Sequence, residues 1–238
     1  MGLTAQPQAV QIPDHPAGDL RDLRLSRAVL LLSGGIDSTT LLYDLVQDGV
    51  EVHALTMDYG QTLSKEINTS AQNAHRVGAR WLLVPSPLTW LPTTCSILRG
   101  GRRTPIPLDR TPEEIADGTP PTYVPFRNGV FLALAVAYGE SLGIDLVYCG
   151  GNGLNSGLYW DDTLDFARAF QEAAREGTAP DYQPRIVYPY ANKTKREIVQ
   201  LGDQLGINYQ DWTWSCYQNG VQHCGRCDSC QQRIKALT

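Results

Sequence analysis

The chain has 238 residues, 42% hydrophobic and 19% charged, enough to bury one proper core with appendages. Its net charge of −5 leans against a protein built chiefly to grip nucleic-acid backbone, which favours a basic balance. The longest apolar run, Val130 to Tyr138, is far short of the roughly 20 residues of a membrane span, and no apolar stretch follows a basic start, so the reading is a cytoplasmic protein without membrane contact.

Residues 1–26 read as a polar, proline-containing extension with no sustained period. Ala28-Val29-Leu30-Leu31-Leu32 then ends at a Ser-Gly-Gly turn, as a buried parallel strand does. Thr39 to Gln47 brings Leu41, Leu42, Leu45 and Val46 to one helical face. Glu51 to Met57 alternates as a second strand, Ser64 to Val77 suits a helix, and Trp81 to Val84 is a third strand. This rhythm predicts an α/β fold with a doubly wound parallel sheet over residues 27–210. Residues 85–122, rich in proline, break the rhythm and are expected to form a functional lid or a disordered segment. Arg127 to Leu142 has little polar face and predicts a buried helix. Asp145 to Tyr148 is a fourth strand ending at Cys149-Gly150-Gly151-Asn152. A helix begins at Leu164, Arg185 to Tyr188 is a fifth strand, and Thr194 and Glu197 have capping-box spacing at the start of a helix that runs to Gly206. Residues 211–238 read as a separate, cysteine-rich metal segment.

Ser33-Gly34-Gly35-Ile36-Asp37-Ser38 lies at the first strand-to-helix junction. Two glycines let the backbone fold closely around an anion, the following helix points free N–H groups at it, and Ser33 and Ser38 add hydroxyls. Asp37 would repel a bare phosphate, so a Mg²⁺ ion between them is expected. The Gly-Lys-Ser/Thr ending of a Walker loop is absent. Lys195 and Arg127 each open a helix, where the dipole disfavours a cation unless an anion binds there.

Cys216, Cys224, Cys227 and Cys230 put four sulfur donors within fifteen residues, with two C-x2-C steps. Four protein ligands suit a structural Zn²⁺ with no open position, and an iron–sulfur cluster is the alternative. His223 is expected to be a bystander, and Cys95 and Cys149 ordinary buried residues.

The phosphate loop resembles the S-G-G-x-D-S signature of the PP-loop ATP pyrophosphatases. Asp58-Tyr59-Gly60-Gln61, Tyr123-Val124-Pro125-x-Arg127-Asn128, Thr194-Lys195-x-Glu197 and Trp214-Ser215-Cys216-Tyr217 with the cysteines extend the likeness to the 7-cyano-7-deazaguanine synthases of queuosine biosynthesis. The resemblance implies adenylation of 7-carboxy-7-deazaguanine by ATP, displacement of AMP by ammonia, and dehydration of the amide to a nitrile, in a homodimer. It assigns Ser33, Gly34, Gly35, Ile36, Asp37, Ser38, Tyr59, Gln61 and Lys195 to the nucleotide and metal. It assigns Tyr123, Arg127, Asn128, Asn152, Tyr159 and Asp161 to the substrate, with Asp37, Lys195 and Arg127 as the catalytic set. Two stretches depart from the family pattern. Thr62-Leu63 stands where the family carries Arg-His, and Gly150 to Phe166 lacks its Asp-Tyr-Ser-Gly core and Cys-Arg-Pro. These departures raise a divergent function, as in synthase-like proteins of antiviral operons, that stops at the amide or joins the deazaguanine to a protein amine. The loop is also compatible with a tRNA-thiolating enzyme or with a non-catalytic nucleotide-binding module.

Overall fold

The structure, a computed structural model, describes residues 26–62, 65–99, 104–152, 159–218 and 220–238. The expected extension lies outside the described residues apart from Ser26, as do Leu63 and positions 153–158 of the divergent stretch.

Period-two alternation sets the layers. In β1 (Arg27–Leu31), Ala28 and Leu30 face one side and Val29 the other, and all three are fully buried. A strand covered on both faces needs helices on both faces. β2 (Glu51–Asp58), β3 (Arg80–Pro85), β4 (Leu146–Cys149) and β5 (Arg185–Val187) complete an all-parallel sheet in the order β3-β2-β1-β4-β5. The register sets Leu31 beside Leu55 on one side and Cys149 on the other. Strand order reverses at β1, so a crevice opens at the C-terminal ends of β1 and β4, where sheets of this kind bind ligands.

The helices are α1 (Ile36–Gln47), α2 (Lys65–Arg76), α3 (Pro112–Ala116), α4 (Arg127–Leu142), α5 (Leu164–Glu176), α6 (Lys195–Gln204), α7 (Tyr209–Trp212) and α8 (Asp228–Leu237). Leu30, Leu42, Tyr190 and Ile198 centre the core on one face, under α1 and α6. Val29, Leu55, Leu132 and Val147 centre the core on the other, under α4. Each fully buried leucine in these clusters is worth about 1.5–3 kcal/mol.

Three expectations change. Helix α4 is not enclosed: Leu132, Ala135 and Val136 are buried on the sheet, whereas Ala133, Ala137 and Leu142 are exposed. A weakly polar helix still presents only one stripe to a sheet. The proline-rich 85–122 segment is seated rather than loose over its described residues. It forms α3 behind a Thr111/Glu114 capping box, packs Ile106 and Leu108 on the cysteine cluster, and joins Arg110 to Asp228 at 2.5 Å. The cysteine-rich end packs into the main body, with Ala236 of α8 in the first core. Helix α8 escaped the sequence reading because its N-cap is Cys227, without a capping side chain.

Candidate active site

The β1–α1 turn forms the floor of the crevice. Gly34 has φ +79°, and a Cβ there would fall 2.8 Å from the Glu66 carbonyl oxygen and 3.0 Å from the Ser70 nitrogen. From the opposite side the Trp214 N–H donates to the Gly34 carbonyl at 2.9 Å. Gly34 therefore sits behind the loop, while Ser33, Gly35, Ile36, Asp37 and Ser38 line a cleft of about 380 Å³. No side chain caps α1 at Gly35, which leaves first-turn N–H groups and the positive dipole end for a ligand. The Ser33 and Ser38 hydroxyls meet at 3.0 Å. A Cβ at Gly150 would lie 2.8 Å from the Ser38 nitrogen, so only glycine lets the β4 loop reach the same helix end.

Lys195 opens α6 behind the capping box formed by Thr194 and Glu197. Its Nζ donates to Asp37 Oδ2 at 2.8 Å, bridging α1 and α6 across the crevice. Asp37 Oδ1 is buried and has no hydrogen-bond partner among the described residues. A buried carboxylate oxygen without a donor fits a hard cation, as a Mg²⁺ accompanying phosphates would be.

Arg127 opens α4 on the other wall, directly after Phe126, whose φ of +53° is left-handed. Its Nη1 donates to the Tyr59 hydroxyl at 3.4 Å, and the guanidinium lies 5.4 Å from the Tyr59 ring centre and 5.9 Å from that of Phe131. No carboxylate among the described residues comes within ion-pair distance of it. Burial works against the Arg127 charge, yet the fields of Tyr59, Tyr159, Tyr217 and Glu66 hold its pKa above the usual arginine value.

Two cleft-lining carboxylates flank this cation. Burial lifts Glu66 to about 7 against the opposing field of Arg127. Burial likewise lifts Asp162 to about 6; Arg127 and Lys195 oppose the shift, and Asp161 and Asp37 add to it. Among the described residues, neither carboxylate has a hydrogen-bond or ion-pair partner. Unpaired, sheltered charge of both signs is costly for folding and marks a place where a ligand completes the pairing.

The remaining candidates separate into lining and support. Tyr59, Gln61, Asn128 and Tyr159 line the cleft. The Gln61 side chain is committed to its own loop: Oε1 accepts the Tyr59 N–H at 2.9 Å and Nε2 donates to the Met57 carbonyl at 3.1 Å. Asp161 is buried away from the cleft, where Oδ2 accepts the Asn128 N–H at 2.8 Å and so stabilises the start of α4. Tyr123 stacks behind Tyr159 at 5.8 Å and accepts the Phe126 N–H, outside the lining. Asn152 is half-buried and also outside it. Sequence reasoning missed Glu66, Asp162, Ser215 and Tyr217. Asp162 directly follows Asp161, and only the backbone turn decides which of the two enters the cleft. Cys149 lines the cleft too, but burial pushes its thiol up to about 12, which leaves almost no nucleophilic thiolate at neutral pH.

The four cysteine sulfurs lie within 4.8 Å of one another, with Cys224 and Cys230 at 3.8 Å. A tetrahedral metal with bonds of about 2.3 Å places its sulfurs about 3.8 Å apart. The Gln218 and Cys224 N–H groups donate to Cys216 Sγ, and those of Arg226 and Cys227 to Cys224 Sγ, at 3.3–3.4 Å. Thiolates ligating zinc accept such bonds, so the set fits that ion. The His223 Nε2 instead accepts the Ser215 N–H at 3.3 Å. The same segment walls the cleft with Trp214, Ser215, Tyr217 and Ser229.

Residues 27–238 match the family model described as queuosine biosynthesis protein QueC. The chain is 39% identical over 216 residues to the 7-cyano-7-deazaguanine synthase of Trichodesmium erythraeum, covering 89% of this chain and 95% of that one. It is 38% identical to the synthase of Nostoc punctiforme, with 89% and 94% covered. For that of Thermoplasma acidophilum the identity is 39%, with 89% and 87% covered. The matched stretch, residues 27–238, contains the β1–α1 loop, Arg127, Lys195 and the four cysteines, and the chain belongs to the QueC family.

Proposed function

We propose that this chain is an ATP-dependent carboxylate–amine ligase that adenylates 7-carboxy-7-deazaguanine and passes it through the amide to 7-cyano-7-deazaguanine. The observation that carries the reading is the half-buried guanidinium of Arg127, which meets no carboxylate among the described residues and is set in the same cleft as the open N-terminus of α1 and the Asp37–Lys195 pair. A carboxylate attacking the α-phosphate needs its negative charge held on one side and the departing pyrophosphate held on the other. Arg127 supplies the first. Ser33, Ser38, Lys195 and the α1 N–H groups supply the second, with Mg²⁺ on Asp37 Oδ1. Zn²⁺ in the four-cysteine site holds the wall that carries Ser215 and Tyr217. Ammonia is the nitrogen donor, and the free thiols suit a reducing cytoplasm.

The reading also includes a homodimer. Its contact is assigned to the groove between α4 and α5, where Ala133, Ala137 and Ala173 are exposed with Phe170 beside them and two copies would meet about a two-fold axis. Light scattering of Ala137→Glu should give a monomer where the unchanged chain gives a dimer.

The decisive assay incubates the protein with ATP, Mg²⁺ and 7-carboxy-7-deazaguanine, with and without ammonium, and reads products by mass spectrometry. AMP and pyrophosphate that depend on the acid support adenylation, and the product mass separates nitrile from amide. No turnover with this acid would sink the assignment.

A further inference from the structure

We infer that Glu66 is the group that takes the proton from the incoming amine. This rests on the adenylation reading and adds to it a residue and a step.

Attack on an acyl adenylate needs a nitrogen lone pair, and ammonia is mostly ammonium at neutral pH. Something in the cleft must accept a proton without already being tied up. Four carboxylates bear on the region, and two of them are already bonded. Asp37 is bonded to Lys195. Asp161 is bonded to the Asn128 N–H. Asp162 has no bonded partner but lies in the fields of Arg127, Asp161, Asp37 and Lys195, and so beside the pair assigned to the phosphates. Glu66 feels Arg127 as its one charged neighbour among the described residues. The charged and titratable groups facing it are Arg127 on α4, the Tyr59 hydroxyl after β2 and the Tyr217 hydroxyl on the cysteine segment. Its carboxylate lines the cleft and meets no hydrogen-bond donor among the described residues.

Its position is fixed rather than incidental. Glu66 is the second residue of α2, and its carbonyl oxygen is the atom against which Gly34 of the phosphate loop packs. Any shift of the loop is felt by the residue and the reverse. Near the N-terminus of a helix the dipole favours a charged carboxylate, yet burial prevails and keeps this one close to neutrality, where a general base works best. With Arg127 holding the acyl oxygen, Glu66 stands in the field of the same guanidinium and so near the carbon that the amine attacks.

The step balances as follows. Glu66 Oε accepts one proton from ammonium. The freed lone pair forms the C–N bond at the acyl carbon, the C–O bond to phosphate breaks, and AMP leaves with that electron pair. The second excess proton on nitrogen passes to water, leaving the neutral amide.

Glu66→Gln keeps the shape and removes the base. Three rates are measured at neutral pH on the metal-loaded protein: acid-dependent pyrophosphate–ATP exchange without amine, amide formation from ammonium, and hydroxamate formation from hydroxylamine, which is already mostly unprotonated. The inference expects exchange within about threefold of the unchanged enzyme, amide formation down about 100-fold, and hydroxamate formation down less than about fivefold. A variant that loses amide and hydroxamate equally, or loses exchange to the same degree, overturns it. Absence of exchange in the unchanged enzyme overturns the adenylation reading and this one with it.

Discussion

Asp37 faces two demands with its two carboxylate oxygens. One holds Lys195 at 2.8 Å and the other is buried without a hydrogen-bond partner among the described residues. Lys195 in turn starts a helix, where its charge opposes the dipole and needs an anion beside it. Lys195→Met should therefore lower kcat/KM for pyrophosphate release by about 10²–10³-fold, as loss of one charge-stabilising group does, while the melting temperature barely falls. A large fall in melting temperature with intact turnover would make the pair structural. The phosphate loop, Lys195 and Arg127 were legible because glycine spacing and a cation at a helix start each have a chemical reason visible in sequence. Glu66 and Asp162 were not legible in that way. Their significance comes from shelter and from lacking partners, and both depend on contacts between α2, α4 and the cysteine segment that no local pattern encodes.

At the scale of elements, local signals worked where a cap or a period stood alone. Thr194-x-x-Glu197 fixed the start of α6, and Thr194→Ala should cost about 1 kcal/mol, a fall of about 2–4 °C for a chain of this size, read by thermal unfolding. The strands were readable from their apolar runs, and α4 from its length. The same rules missed what tertiary contact decides. Helix α3 had its capping box in plain view, inside a proline-rich stretch that hid it. Asp161 looked like a ligand in its motif but serves the first turn of α4 instead. Gly34→Ala tests the tightest contact between elements. With its Cβ driven to 2.8 Å from the Glu66 carbonyl, the loop must move, and nucleotide binding measured by calorimetry should weaken at least tenfold.

For the whole molecule, the cleft sets a pH dependence. Glu66 and Asp162 have folded-state pKa values raised to about 7 and about 6, chiefly by burial. A raised carboxyl favours the folded state while protonated, so this stability is present in full below the unfolded values and is lost as pH rises through 6 and 7. The melting temperature of the ligand-free protein should accordingly fall between about pH 5 and about pH 8. Asp162→Asn should flatten that slope and raise the melting temperature at the alkaline end. A slope unchanged in this variant would show that Asp162 does not contribute. The trade is a familiar one, in which groups that bind ligand are kept unpaired at some expense to stability.

The bond from the Trp214 N–H to the Gly34 carbonyl links the segment of the four cysteines to the β1–α1 turn, the two places proposed to hold metal and nucleotide. Trp214 lies two residues before Cys216, and Gly34 lies in the turn proposed to receive the phosphates. If the metal orders the segment that holds the loop, nucleotide must hold the metal by the same factor, because coupling between two binding sites is reciprocal. At equilibrium, a chromophoric chelator should therefore need a higher concentration to withdraw half of the metal from protein saturated with ATP and Mg²⁺ than from protein without nucleotide. Stripped protein should lose ATP affinity in the same proportion. On this view the cysteine cluster is half of a thermodynamic cycle whose other half is the nucleotide, so cellular zinc supply and ATP binding become two readings of one free energy.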